Sequence, residues 1–481
     1  MTVLKRVVGT VFSLTAMRLG TAALAFALFW LIARWAGRED LGAYAVVMNV
    51  FLFLQQMPML GLHLALIRDA AAAPEHLAQN RLAMTWISLA VASVLCIGIL
   101  LSAASVYPPE LHAPVWLVAV SLLPTAITGV TESVMLGQQR MRLVAVVNIA
   151  ESVFRAVASG VLVLLGYGLS AWLGVFLAGR ILAAVAYAMA RETAGAAALL
   201  HGFPRDAVLR YLRMCPVFAG ILVASAAFSR LDVFVLSHFS TLDAVGLYAS
   251  AGKIYEVALM VSSILVSALF PLFSTTWEQV RNDFGALVER SLRWMLTLGI
   301  PAAALACLVA EPLMVLLFGE PFRPAAPILI WLVPAALLMA GNQVFSAAML
   351  ASGRQATDLA SVAASACFLL ACLTLFVQEA GMLGAAWAIV AGMLFQFSFR
   401  GLWFGRQFGA LAMLRSIASP FGAGLAMAGA WLALQPLGGL LAATGGLAAY
   451  LAVGMLFGIV RKEERAYLRA GVGRLLRKSH Q

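Results

Sequence analysis

Apolar residues run along this chain in blocks longer than a soluble helix or strand uses, and short polar breaks divide them. A helix needs about 20 apolar residues to cross the hydrocarbon core of a bilayer. Blocks of that length predict fourteen transmembrane helices, near residues 8–33, 41–67, 82–106, 114–137, 143–166, 168–190, 212–237, 244–273, 294–318, 325–350, 357–378, 382–404, 416–436 and 439–460. The tightest breaks, Gly166–Gly168 and Pro436–Gly439, read as turns. Pro58, Pro124, Pro271, Pro301 and Pro334 fall within spans. Each is expected either to bend its helix functionally or to mark a simple packing kink. Pro58 stands in a polar, bendable segment, after Gln55-Gln56 and before Gly61.

Composition agrees that lipid is the solvent. Of the 481 residues, 63% are hydrophobic and 11% charged, against roughly 45–50% and about 25% in soluble domains. The net charge of +11 does not suggest nucleic acid, because the cations sit at the ends of apolar runs. With the N-terminus inside, 24 Lys and Arg fall in cytoplasmic connections and the tail, and only Arg34, Arg38 and Arg323 fall outside. That asymmetry predicts two cytoplasmic termini and an even number of helices. Lys5-Arg6 and the run after them could pass for a signal peptide. The run is too long, contains Arg18 and lacks a small-x-small cleavage site, so it reads as an uncleaved first helix. The basic tail from Arg461 either lies along the anionic inner leaflet or is a solvated end.

The chemistry of soluble enzymes is missing from the sequence. Cys96, Cys215, Cys307, Cys367 and Cys372 form no C-x-x-C pair and read as small buried hydrophobes. The histidines have no metal-ligand spacing, so neither a metal nor a cofactor is expected. Gly246 to Gly252-Lys253 resembles a phosphate loop only loosely, with one residue too many and Ile254 in place of Ser or Thr. There is no nucleophile elbow and no H-E-x-x-H. Glu39-Asp40 could suggest a membrane glycosyltransferase or polymerase, but capping of the second span explains them and the outer connections are too short for sugar transfer. The expected class is a transporter, not an enzyme.

An internal repeat supports this class. Asp40-Leu41-Gly42-Ala43-Tyr44-Ala45 opens span 2, and Asp243-Ala244-Val245-Gly246-Leu247-Tyr248-Ala249 opens span 8, six spans later at the same outer turn. Asp can cap the new helix and Gly permits close helix approach. Two parallel six-helix repeats, related by a pseudo-two-fold along the membrane normal, are a transporter design. The expected fold is therefore all-α integral membrane, with lobes at 1–195 and 205–406, two added helices within 415–460 and a basic tail at 461–481.

Five cations lie inside spans: Arg18, Arg155, Arg180, Arg230 and Lys253. So do the acids Glu132, Glu151, Asp232 and Glu256. A charge at the bilayer centre costs roughly 2.5–3.5 kcal/mol on insertion scales, so these groups should face a cavity or a partner. Glu151 and Arg155 can pair one turn apart, as can Lys253 and Glu256, whereas Arg230 and Asp232 point apart. The paired groups could be interhelical glue or cavity lining. Arg18 and Arg180 have no acid within a helical turn; Arg18 reads as a cavity residue, and Arg180 either lines the cavity or snorkels. Glu132 is placed near the inner interface. Spans 10 to 14 carry no interior charge by this reading.

Several segments in order resemble one family. They are Leu31-Ile32-Ala33-Arg34-Trp35-Ala36-Gly37-Arg38-Glu39-Asp40-Leu41-Gly42-Ala43-Tyr44, then Val245-Gly246-Leu247-Tyr248 with Lys253-Ile254, and Ala268-Leu269-Phe270-Pro271. Leu317-Phe318-Gly319-Glu320-Pro321-Phe322, Ala325-Ala326-Pro327-Ile328-Leu329 and Leu350-Ala351-Ser352-Gly353-Arg354 follow. The succession, over residues 1 to about 400, resembles the polysaccharide biosynthesis flippases: the O-antigen and exopolysaccharide translocases of the multidrug/oligosaccharidyl-lipid/polysaccharide exporter superfamily.

The resemblance implies two six-helix lobes, often with two extra helices. It also implies flipping of an undecaprenyl-diphosphate-linked oligosaccharide from the cytoplasmic to the periplasmic leaflet of the bacterial inner membrane by alternating access. A cationic cavity would face the diphosphate, lined by the helices that carry Arg18 and Lys253. Arg155, Arg180 and Arg230 join them on charge logic alone, with Glu151, Asp232 and Glu256 as coupling or pairing acids. Energy would come from an Na⁺ or H⁺ gradient or the membrane potential. Membrane lipids, a polymerase and glycosyltransferases of the same pathway are the expected partners. The competing readings are a peptidoglycan-precursor lipid flippase and a multidrug cation antiporter; the latter would want acids in its cavity, and Asp232 and Glu256 keep it open.

Overall fold

The computed structural model describes residues 2–72, 74–189, 204–437 and 439–456. The predicted tail at 461–481 and Arg191 lie outside them. The α-helices in chain order are α1 (Thr2–Trp35), α2 (Arg38–Leu54), α3 (His63–Ala72), α4 (Leu77–Val106), α5 (Pro109–Gly137), α6 (Met141–Leu164), α7 (Leu169–Met189) and α8 (Arg205–Phe239). There follow α9 (Leu242–Gln279), α10 (Arg281–Leu308), α11 (Ala310–Phe318), α12 (Ala326–Ala351), α13 (Gln355–Phe408), α14 (Ala410–Leu434) and α15 (Gly439–Leu456). Among the described residues there is no strand.

Ten of these helices are long and apolar enough to cross a membrane. One of them, α13, holds two predicted spans on either side of Gly381, whose φ of 55° and ψ of −125° break the helical path. Span 2 is split into α2 and α3, while α8 and α15 correspond to spans 7 and 14. Each of the fourteen predicted segments thus has a helical counterpart, in an all-α multi-pass membrane protein. Its surface is apolar as lipid requires: Leu101 is 77% and Leu425 75% exposed.

The prolines act differently from one another. Pro58 lies in the interruption between α2 and α3, where Leu60 (φ 49°) and Gly61 (φ 75°) leave the helical region and Leu60 N–H donates to Met57 O. Pro lacks its own N–H and clashes with the preceding turn, so this polar segment comes apart. Pro124, Pro271, Pro301 and Pro334 instead lie inside α5, α9, α10 and α12, which continue past them. In an apolar surrounding, every other backbone bond of the helix favours continuity.

By internal packing the chain forms two compact units. The first comprises Met1–Ser250 with Met314–Pro324 and Leu373–Ala385. In it α4 packs on α5, α1 on α6, and α7 against both α5 and α6. One apolar core joins Leu62 and Leu66 to Met84, Ile87, Val130 and Tyr211. At its edge the Tyr211 hydroxyl donates to Asp69 Oδ2 at 2.9 Å, and burial together with that carboxylate pushes the phenol up to about 12. The second unit comprises Ala251–Leu313, Ala325–Cys372 and the chain from Ala386 onward, with α10 against α12 and α14, and α14 against α15.

The repeated Asp…Gly-x-Tyr motif meets itself inside the first unit. A Cβ built on Gly42 would overlap Leu242 O, and one built on Gly246 would overlap Arg38 O. The starts of α2 and α9 therefore cross backbone to backbone, which only glycine allows. The expected capping role of the aspartates is corrected. Gly37 occupies the N-cap of α2, with no side-chain cap bond. Thr241 Oγ1 accepts from Ala244 N–H at the start of α9, and Asp243 instead pairs with Arg38 at 3.0 Å.

A second repeat becomes visible at helix ends. Met135-Leu136-Gly137-Gln138-Gln139-Arg140 and Met349-Leu350-Ala351-Ser352-Gly353-Arg354 close α5 and α12 in the same way. Gln139 (φ 60°) and Gly353 (φ 72°) are left-handed. Arg140 N–H donates to Met135 O, and Arg354 N–H to Met349 O, both at 2.8 Å. Both are Schellman closures, in which the left-handed residue lets the last carbonyls find donors.

Candidate substrate-binding cluster

The first unit gathers three of the predicted charges on facing helices. Glu151 and Arg155 lie one turn apart on α6, and Phe176 and Arg180 one turn apart on α7, so each pair shares a helix face. Glu151 Oε1 stands 3.2 Å from Arg180 Nε and 3.9 Å from Arg155 Nη1. The predicted i,i+4 pair exists, but the closer partner is the arginine from the neighbouring helix.

Aromatic rings hold the two guanidiniums. Arg155 lies over Phe176 with 5.2 Å to the ring centroid. Arg180 lies 5.6 Å from both Phe176 and Phe51, and these two rings meet edge to face at 4.7 Å. Cation–π contact of this kind is worth about 0.5–2 kcal/mol. It fixes each guanidinium without using its N–H donors.

The ion pairs are not hydrogen-bonded. Glu151 Oε1 and Arg180 Nε are both buried and find no hydrogen-bond partner. The arginine side chains retain 20% and 17% exposure, against 5% for Glu151. Each guanidinium carries five donors in a fork suited to carboxylate or phosphate oxygens. The two guanidiniums are thus the more exposed members of the cluster and the carboxylate the more buried one.

Glu132, which the sequence placed near an interface, is a half-buried neighbour of this cluster. From α5 it accepts from Asn148 Nδ2 at 3.0 Å and from the Tyr187 hydroxyl at 3.2 Å. That triad ties α5, α6 and α7 together with conventional hydrogen bonds. Asn148 and Tyr187 were not singled out in the sequence. The only signal for them was a polar residue within an apolar run.

The remaining candidates stand elsewhere. Arg18 on α1 is exposed, and among the described residues none forms an ion pair with it. On α8 the carbonyl of Arg230 accepts from Asn49 Nδ2 at 3.1 Å, while Asp232 accepts from the Tyr248 hydroxyl at 2.7 Å. In the second unit Lys253 and Glu256 form their predicted pair at 2.9 Å.

Interior charge in spans 10 to 14 was not expected, and the second unit corrects this. Arg400 is 3% exposed. It donates to Asp358 Oδ1 at 2.6 Å, to Ser361 Oγ at 2.9 Å and to Asn342 O at 2.8 Å. Ser346 also donates to Asp358. This network joins α12 to both halves of α13. Glu132, Asn148 and Tyr187 likewise join the three helices around the matching Schellman end. In both networks the ion-pairing or acidic group itself is hydrogen-bonded, unlike Glu151 Oε1.

A family model described as "Polysaccharide biosynthesis protein" matches residues 7–277, more than half of the chain. The chain belongs to this family. The succinoglycan biosynthesis transport protein ExoT of Rhizobium meliloti (strain 1021) is 26% identical over 321 residues, which cover 64% of this polysaccharide biosynthesis protein and 62% of ExoT. The match therefore spans a little under two thirds of that relative's length.

Among solved structures, the lipid II flippase MurJ in an inward closed conformation superposes with a TM-score of 0.71 at 13% identity, covering 92% of this chain and 98% of that one. An inward-facing multidrug resistance MATE family transporter of the MOP superfamily gives 0.65 at 14%, covering 81% and 95%. At such identities the likeness is one of fold. These relatives are transporters and flippases, not enzymes.

Proposed function

We propose that this chain flips an undecaprenyl-diphosphate-linked oligosaccharide from the cytoplasmic to the periplasmic leaflet of a bacterial inner membrane, for O-antigen or exopolysaccharide synthesis. The observation that carries the reading is the pair Arg155 and Arg180, held by aromatic rings inside a membrane bundle with donors left over. A diphosphate is a dense anion, and guanidinium forks bind its oxygens bidentately. Arg18, exposed on α1, would add a third cation. Alternating access to this anion site would carry the sugar while the prenyl chain stays in lipid. Both termini would be cytoplasmic, as the Lys and Arg bias requires. The sugar would come from pathway glycosyltransferases and pass to a polymerase. An ion gradient or the membrane potential would supply the energy.

The test is export in cells carrying Arg18→Ala, or Arg155→Ala together with Arg180→Ala. Surface polysaccharide is expected to disappear while the protein accumulates in the membrane. Normal polysaccharide in both strains, with the variants present, would sink the anion-site reading.

A further inference from the structure

Of the charge clusters built on Glu132, Glu151 and Arg400, the one on Glu151 is the loosely made one. Asp358 and Arg400 are joined at 2.6 Å with Ser361 and Asn342 completing the shell. Glu132 accepts two hydrogen bonds through one oxygen. Glu151 faces two arginines at 3.2 and 3.9 Å, and its buried Oε1 accepts no hydrogen bond from either. Structural glue in a low-dielectric interior is hydrogen-bonded, since an orphaned polar atom costs free energy there. A carboxylate held by charge alone is suited to being exchanged.

We propose that Glu151 is a placeholder anion: the substrate's diphosphate displaces it from Arg155 and Arg180, and Glu151 then takes up one proton. This rests on the flippase reading above and adds to it a proton linked to substrate binding. Without substrate, two guanidiniums in the membrane need a counter-charge, and Glu151 supplies it. The exposures fit an exchange, because the arginines are the more open partners and the glutamate lies behind them. When phosphate oxygens take over both forks, a carboxylate that is 5% exposed is left with no counter-ion. Such a group neutralises itself, so a proton from water adds to its oxygen while both arginines stay charged.

The groups around Glu151 offer no substitute partner. Its own helix brings Arg155. From α7 come Arg180 and Tyr187, and Tyr187 donates to Glu132. From α5 comes Glu132, itself an acid and already hydrogen-bonded. From α2 comes the Phe51 ring. On α1, packed against α6, Arg18 makes no ion pair among the described residues.

The experiment is calorimetric titration of the full-length purified chain in nanodiscs with undecaprenyl diphosphate, in two buffers of different ionisation heat at one pH. The wild type is expected to take up about one proton per molecule bound. Glu151→Gln, which keeps the shape but cannot compete as an anion, is expected to take up none and to bind about tenfold tighter. Glu151→Asp should restore the uptake, which a merely structural role for residue 151 would not explain. Wild-type binding without proton uptake, or the same uptake in Glu151→Gln, overturns the placeholder and leaves the flippase reading standing. Failure of the wild type to bind the diphosphate at all overturns both.

Discussion

Arg400 ends an apolar run, where a cation ordinarily marks a membrane surface, yet it is 3% exposed and bonded to Asp358 at 2.6 Å. Removing one member of a buried ion pair strands the other, at a cost of about 3–5 kcal/mol, whereas removing both leaves no stranded charge. Arg400→Leu is therefore expected to lower thermal stability in detergent sharply, and Arg400→Leu with Asp358→Leu to recover much of the loss. Equal destabilisation by the single and double variants would show that the pair is not the cause. The sequence hid this pair for a physical reason. Its partners are 42 residues apart, on the two sides of the Gly381 break in α13, and hydropathy locates a helix end only to within several residues. The partners of Glu132 were hidden for the same reason, since its donors Asn148 and Tyr187 come from two other helices. The Glu151–Arg155 and Lys253–Glu256 pairs were legible because one helical turn fixes their neighbours.

Helices were the legible elements, because twenty apolar residues in lipid have almost no alternative to a helix. Which proline ends a helix was less legible, since a single lost N–H breaks a helix where the neighbouring residues also favour leaving it, as Gln55-Gln56 and Gly61 do around Pro58. The repeated glycine was read correctly for the approach it permits, although nothing in the sequence said that its two copies touch each other. That contact gives a sharp expectation. Leu242 O and Arg38 O occupy the space a side chain would need at Gly42 and Gly246, and both obstacles are backbone. Gly42→Leu is expected to lose transport and accumulate poorly, while Gly220→Leu, where no atom stands within 4 Å of the added Cβ, should accumulate normally. Full transport by Gly42→Leu would mean that α2 and α9 need not approach. The Schellman ends of α5 and α12 add the lesson that a repeat can survive in backbone form after its residues diverge, with Gln139 in one copy and Gly353 in the other.

For the whole molecule, orientation in the membrane follows from charge and can be measured directly. The cations assigned to one side outnumber those on the other by 24 to 3, and each Lys or Arg resists crossing the bilayer during insertion. Arg38 and Glu39 lie at the start of α2, and Arg140 in the turn after α5. These positions are separated by α2 with α3, by α4 and by α5, an odd number of predicted crossings, and must emerge on opposite faces. A Cys placed at Glu39 is therefore expected to react with a membrane-impermeant maleimide in intact cells, whereas one at Arg140 should react only after the inner membrane is opened. Labelling of both in intact cells would mean that the interruption between α2 and α3 is a re-entrant turn rather than a bend in one crossing. The reverse pattern would invert the chain and overturn the orientation read from the Lys and Arg bias.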